Sequence, residues 1–258
     1  MSLERLRDLG LRVAASCFPL TLAALVYVLV HERRDPAGVD RALTPTSMPS
    51  PRTGEPTPAL SSVFNNIYEQ GLWGTDDDGG NHSGTGSTAA LTVVYRAYLQ
   101  PFLKDHAIHS VVDAGCGDWE FSKLMDWAGI DYKGYDIVAS VIDKDRRLYG
   151  GPTTKFFTAD IIETDLPPAD LLLVKHVLQH LPNAIVAKFL RQLPKYTYVL
   201  LTDGVDANTL SAPNVDIAAG AYRPIDLTRP PFNLPAVKAL LYNDGLDTHE
   251  VLLLQRHR

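Results

Sequence analysis

Cysteine is nearly missing from this 258-residue chain. Two occur, Cys17 in an apolar N-terminal run and Cys116 between two glycines. They are badly placed to pair, and no CxxC motif offers a metal or disulfide framework. A basic surplus is missing too: the net charge is -6 and the pI about 5.7, opposite to the balance of a typical nucleic-acid binder. No nucleic-acid partner is therefore expected. There is no internal repeat. The length suits one sizeable α/β domain plus a tail, and falls short of two full domains.

Long uncharged runs are also scarce, with one exception. "VAASCFPLTLAALVYVLV", Val13 to Val30, is eighteen residues without a charge. That is near the lower limit for a membrane-spanning helix. No small-x-small cleavage site follows it clearly, so an uncleaved signal anchor is preferred over a removed signal or transit peptide or a buried helix. Residues 1–34 are read as the anchor and 35–58, "DPAGVDRALTPTSMPSPRTGEPTP", as a Pro/Ser/Thr-rich stem without apolar periodicity. Residues 59–258 then form the globular domain. This layout predicts a membrane-bound protein with its domain outside the bilayer, in the Golgi or ER lumen if the source is eukaryotic.

Within the domain, "LSSVFNNIYEQG" has helical spacing, stopped by Gly71. A second helix is expected from Ser87 or Thr88 as N-cap, with Pro101 kinking or splitting it. Strands are predicted at His109–Ala114, Tyr132–Ile137, Lys155–Ala159, Asp170–Lys175, Tyr196–Thr202, Val237–Tyr242 and Glu250–Gln255. Helices are predicted at Trp119–Ala128, Ser140–Leu148 and Val177–Leu193. Alternating β and α with apolar strands predicts a Rossmann-like, doubly wound, mostly parallel sheet. Only "NDGLDTH" separates the last two strands, so they form an antiparallel hairpin.

A third glycine is the next absence. "SVVDAGCGDWEF" ends a strand on Asp113 and carries Gly115 and Gly117, which let backbone approach a ligand. A dinucleotide turn needs G-x-G-x-x-G, and here Glu120 takes the last place. Glu120 and Asp118 would repel a diphosphate. Acids flanking the turn suit a cationic ligand, and S-adenosylmethionine carries an ammonium and a sulfonium.

"VVDAGCGDWEF" resembles the first motif of class I S-adenosylmethionine-dependent methyltransferases. "YKGYDIV" places Asp136, followed by Ile137, where that family grips the ribose. "FFTADII" places Asp160 and Ile161 where it borders the adenine, and "ADLLLVKHVLQHL" resembles the fourth motif and its helix. "LWG" (Trp73), "SGTGS" (Ser83 to Ser87) and "NVDIAAGAYRPIDLTRPPF" resemble elements of a less-characterised subfamily. The resemblance implies the strand order 3-2-1-4-5-7-6. It implies S-adenosylmethionine as cofactor, held by Asp113, Gly115, Cys116, Gly117, Asp118, Asp136, Ile137, Asp160, Ile161 and Lys175. Tyr68 and Trp73 as a cover and Ser87 in a cradle for the cofactor carboxylate complete the set; core packing and a plain turn are the competing readings. Relatives often carry Arg-Asp where this chain has Lys175-His176.

Methyl transfer to a hydroxyl also removes a proton, and a neutral imidazole is a suitable base. His180 is the preferred base and His176 the second choice, four residues away at the start of a predicted helix. Two histidines at this spacing also suit a metal, but no third ligand is near and no metal is expected. The long polar segment from Asp203 to Pro235 offers Asn214, Asp216, Arg223 and Asp226 as acceptor contacts, or as groups that merely hold the loop. Asn81-His82-Ser83 is a glycosylation sequon, and Asp76 to Asp78 a solvated acidic run. The expected activity is O-methylation of a sugar or glycan hydroxyl. The alternatives are a small-molecule or protein acceptor, and a non-catalytic binding module.

Overall fold

The computed structural model describes residues 59–74, 83–206 and 214–256. The expected anchor, the stem, Asp76 to Asp78 and Asn81 lie outside the described residues. Among the described residues no helix is long and apolar enough to cross a membrane.

Seven strands form one sheet: β1 (Ser110–Ala114), β2 (Asp131–Asp136), β3 (Thr154–Thr158), β4 (Leu171–Lys175), β5 (Tyr198–Gly204), β6 (Val237–Asn243) and β7 (Thr248–Gln255). Their order is β3-β2-β1-β4-β5-β7-β6. β1 to β5 pair in parallel; β7 runs antiparallel to both β5 and β6. Every strand lies within two residues of its expected bounds.

The central strands are apolar on both faces because helices and loops cover both. Side chains alternate between two cores, as the period of two requires. Val111, Leu171, Leu173 and Leu200 point to one core, with Tyr95, Phe102, Trp127 and Tyr132. Val112, Leu172, Val174 and Leu201 point to the other, with Leu178, Val186, Phe189 and Tyr196. Each such side chain contributes about 1.5–3 kcal/mol by leaving water.

Among the described residues, four α-helices accompany the sheet: α1 (Leu60–Glu69), α2 (Val93–Asp105), α3 (Ala139–Tyr149) and α4 (Asn183–Phe189). Three expectations are corrected. The second helix starts at Val93, not after Ser87 or Thr88, because Thr85–Ser87 forms a 3-10 turn and Thr88 is extended; Pro101 lies inside α2 without splitting it. The helix expected over Trp119–Ala128 is absent. Trp119 adopts a left-handed φ of 58°, and side-chain bonds compete with helical ones. Asp126 Oδ1 accepts from the Ala128 N–H, and Trp127 Nε1 donates to the Ser122 carbonyl. Only Ser122–Leu124 winds, as a 3-10 turn. The helix expected over Val177–Leu193 is broken into a 3-10 turn at Leu178–His180, α4 and a second 3-10 segment at Leu190–Lys195. Pro182 causes the first break: proline disfavours the helical region for the residue before it, and Leu181 is extended (φ -116°, ψ 143°).

Asp145 of α3 is fully buried, and neither carboxyl oxygen has a hydrogen-bond partner. Burial, then the nearby Asp118 and Asp136, pushes its pKa up to about 8. In the unfolded chain it would ionise near pH ~3.9. Its raised pKa therefore makes stability fall as pH rises from about 4 to about 8, where the fold holds a proton that the unfolded chain has lost. Asp145→Asn removes that dependence. Thermal unfolding should show the variant gaining on the wild type by up to about 1.4 kcal/mol per pH unit across this window, then levelling. A pH-independent difference between the two proteins would contradict this assignment.

Candidate active site

The cleft opens at the carboxyl ends of the parallel strands, beside the turn after β1. About 830 Å³ of space, open mouth included, lies between its walls. Asp113, Gly115, Cys116, Gly117, Asp136, Ile137, Asp160, Ile161, Lys175, Trp73 and Ser87 line it, as do His176 and His180.

The turn after β1 is pinned to β2: the Gly115 and Cys116 N–H groups donate to the Tyr135 carbonyl, at 2.8 and 3.0 Å. Gly115 and Gly117 have φ of 82° and 56°, the region that glycine adopts without strain. The space a β-carbon would need at either position is taken by protein. A Cβ on Gly115 would lie 2.3 Å from Val177 Cγ2, and one on Gly117 2.2 Å from Ser83 Oγ. The glycines let the 83–88 loop and the chain after β4 close upon the turn.

Asp118 works in the same closure and does not line the cleft. Its N–H donates to Ser83 Oγ at 2.8 Å, and its Oδ2 accepts from the Ser83 N–H at 3.2 Å. Glu120 is paired with Lys123 at 2.5 Å and also lies outside the cleft lining. The acids that do face the cleft are Asp113, Asp136 and Asp160. The cationic-ligand argument therefore rests on these three.

Asp136 accepts from the Gly117 N–H at 3.1 Å and the Val138 N–H at 3.0 Å. A carboxylate has about four lone-pair sites, so acceptor capacity remains for a vicinal diol. Burial raises its pKa, opposed by those N–H groups. Asp113 accepts from the Tyr132 hydroxyl at 2.6 Å. Burial pushes it up to about 7, against the pull of that bond and of Lys175. Asp160 holds the chain at its own turn, accepting from the Ile162 N–H. Cys116 is a buried thiol whose pKa burial holds well above its usual value, so it packs and does not react.

Tyr68, expected with Trp73 either to cover the cofactor or to pack in the core, reaches the cleft. It lies four residues after Phe64 on α1 and lines the cleft beside it. Its hydroxyl is 2.6 Å from Ser83 Oγ. Phe64, Tyr68 and Trp73 form an aromatic wall, with ring centroids of Trp73 5.9 Å from Phe64 and 5.6 Å from Tyr68.

Lys175 ends β4. Its Nζ donates to the Gly86 carbonyl at 2.8 Å and lies 3.1 Å from His176 Nδ1. Burial lowers its pKa to about 7, although Asp244, Asp113 and Asp203 oppose that. His176 has a left-handed φ of 55°, a strained backbone of the kind that clusters at functional sites. His180 sits in the 3-10 turn. It does not lie one turn of an α-helix from His176, but both reach the cleft.

The four expected acceptor residues are not brought into the cleft. Arg223 is buried and donates to the Leu181 carbonyl and Asn183 Oδ1. Asp216 accepts from the Asn183 N–H. Asn214 bonds the backbone of Asp226 and Pro230. Asp226 binds Thr228 and Lys238. Arg223 and Asp226 hold the loop, but through other partners and not through each other.

Residues 112–199 match a family model described as a methyltransferase domain. Among solved structures, magnesium protoporphyrin IX methyltransferase from Synechocystis PCC 6803, with bound SAH, is similar at a TM-score of 0.56. It shares 14% identity, over 77% of this chain and 100% of that one. The 1,6-didemethyltoxoflavin-N1-methyltransferase of Burkholderia thailandensis, with S-adenosylhomocysteine bound, is similar at a TM-score of 0.56 and 16% identity. There the match covers 80% of this chain and 94% of that one. No curated protein matches the sequence. The strand order and the cleft are those of the class I methyltransferase fold. Residues 112–199 thus match a methyltransferase domain, and the described residues have the class I methyltransferase fold, whose solved examples hold S-adenosylhomocysteine.

The residues fit the cofactor: three acids for its cations and hydroxyls, aromatic rings and Ile161 for its adenosine. Asp136→Asn should weaken S-adenosylhomocysteine binding about tenfold or more, as expected for losing a charge-assisted bond. Asp118→Asn should weaken it less than about threefold. Calorimetry measures both, and equal losses would contradict the separate roles of these acids.

Proposed function

We propose that the protein is an S-adenosylmethionine-dependent methyltransferase, that it acts on a hydroxyl oxygen, that the hydroxyl belongs to a sugar or glycan, and that a cleft histidine takes the proton. The observation that carries the reading is the pair of neutral imidazoles at the cleft floor. S-adenosylmethionine supplies an electrophilic methyl carbon. The protein orients the acceptor, excludes water and receives the acceptor's proton.

The two histidines have different surroundings. His180 Nδ1–H donates to the Ala221 carbonyl at 3.0 Å, and its Nε2 lies 3.3 Å from Gln179 Nε2. Gln179 is fixed in that orientation because its Oε1 accepts from the Gly204 N–H at 2.7 Å. The lone pair of His180 thus already has a donor. Burial, with Arg223 adding to it against the Ala221 bond, lowers its pKa to about 4. That is far from the optimum for a base near neutral pH. Burial, then Lys175, holds His176 well below its usual pKa too, and Lys175 Nζ lies 3.1 Å from its Nδ1. What sets His176 apart, and favours it as base over the sequence-based preference for His180, is a second ring nitrogen 3.1 Å from His249, a route for a proton that His180 lacks.

His180 instead extends the aromatic wall. Its ring centroid is 5.0 Å from Trp73 and 5.9 Å from Tyr222, which is 40% exposed. A row of rings running from a cleft to solvent suits the apolar face of a sugar, with polar edges left to hydrogen-bond. The anchor-and-stem layout read from residues 1–58 supports the same acceptor class, since glycans are modified at membranes. On this reading the protein is membrane-tethered, with its catalytic domain outside the bilayer.

Assay of labelled methyl transfer to a panel of glycans and small phenols tests the acceptor. Transfer to glycan hydroxyls is expected; transfer confined to amines would overturn the reading. His176→Asn keeps a residue tolerant of left-handed backbone. It should lower turnover 100-fold or more, within the range of about 10²–10⁴ for general-base loss. His180→Asn should chiefly raise KM. A His176→Asn variant with wild-type turnover would exclude that residue as base.

A further inference from the structure

His176 has a second neighbour that plays no part in the cofactor site. Parallel pairing puts Lys175 beside Thr202, and antiparallel pairing puts Gly204 beside His249 of β7. His249 therefore reaches the end of β4 from across β5. His249 Nδ1 lies 3.1 Å from His176 Nε2, and His249 Nε2 lies 2.8 Å from Asp244 Oδ2. His249 is buried, the Asp244 side chain is only 4% exposed, and neither lines the cleft.

Asp244 is held by the hairpin between β6 and β7. Its Oδ1 accepts from the Leu246 and Asp247 N–H groups, which leaves Oδ2 to His249. Burial raises the Asp244 pKa, but the His249 bond and those N–H groups outweigh it and pull the carboxyl below its usual value. It is thus an ionised acceptor that cannot donate.

One fixed acceptor sets every proton along the row. Asp244 only accepts, so His249 Nε2 carries a hydrogen and its Nδ1 is bare. His176 Nε2 must then donate to that nitrogen, which leaves His176 Nδ1 bare. Lys175 Nζ can only donate to it at 3.1 Å. All three bonds point the same way, from the cleft to the hairpin.

We propose that His249 and Asp244 are positioning residues that fix the His176 tautomer, keeping the Nδ1 lone pair on the cleft side, and that they take up the charge when that nitrogen is protonated. This rests on the reading of His176 as base. The acceptor's hydroxyl proton passes to His176 Nδ1. The His176 Nε2 proton passes to His249 Nδ1. The positive charge then resides on His249, 2.8 Å from the Asp244 carboxylate, and the His176 ring is again neutral. With the methyl donor bound, the electron pair freed on the acceptor oxygen would form the new bond to carbon while the carbon–sulfur bond breaks, its pair leaving on the sulfur of S-adenosylhomocysteine. Second-neighbour carboxylates orient imidazoles in the same manner in metal sites and in hydrolase triads.

The test is made on the full chain with ¹⁵N-labelled histidine and no cofactor. Long-range ¹H–¹⁵N spectra should show both His176 and His249 as Nε2–H tautomers. Asp244→Asn keeps an oxygen for the hairpin N–H groups but aims an amide donor at His249. Both tautomers should then invert to Nδ1–H. His249→Asn breaks the row without touching the hairpin turn and should return His176 to a mixture of tautomers. An Nδ1–H His176 in the wild type, or an unchanged His176 in both variants, would overturn the proposal. With a glycan acceptor, Asp244→Asn should lower kcat about 10–100-fold and leave S-adenosylhomocysteine affinity within twofold. Tautomer inversion without any loss of kcat would refute the charge-uptake role. Tautomer inversion in a protein inactive on every hydroxyl acceptor would refute the hydroxyl reading and leave the positioning role standing.

Discussion

Asp113, Asp136 and Lys175 stand at one edge because β1, β2 and β4 pair in parallel and end together. Asp113 is opposite both Gly134 and Leu173, and Lys175 is opposite Thr202. That register places three chemistries within one cleft: carboxylates for a cationic nucleoside, an amine and imidazoles. The antiparallel β7 then contributes His249 at the height of Gly204. A one-residue slip in any of these strands would send its side chain to the opposite face and disperse the cleft.

Closure of the cleft depends on a second set of contacts. Ser83 bonds both Tyr68 and Asp118 across the turn after β1, and Lys175 ties the Gly86 carbonyl to β4. A Cβ on Gly86 would lie 2.8 Å from His176 Nδ1. The 83–88 loop thus packs against the imidazole as well as against the cofactor turn. Loop position, Lys175 charge and the His176 lone pair form one coupled unit, in which a change at one member is felt by the others.

Much of this was legible in the sequence. Apolar strands alternating with helical stretches specify a parallel sheet, and seven strands were read from runs of five to seven residues; their order came from the family resemblance. Asp113, Asp136 and Asp160 each end a strand, which is where open α/β sheets bind ligands. What failed were inferences about short-range packing. Asp118 and Glu120 satisfy their own neighbours, Ser83 and Lys123, so their charge is spent before it reaches a ligand. Proline at 182 and a left-handed Trp119 broke two helices that hydrophobic spacing favoured. Asn214, Asp216, Arg223 and Asp226 were chosen for polarity, and polarity served the loop's own backbone. His249 carries no motif at all; only the strand order, which a single sequence states weakly, brings it to His176.

The central claim is that this cleft holds a cationic methyl donor through strand-end carboxylates. Calorimetric titration of the full chain with S-adenosylmethionine, S-adenosylhomocysteine and NAD tests it most directly. Binding of both methionine-derived ligands and none of NAD is expected. Binding of NAD with neither of the others would contradict the account.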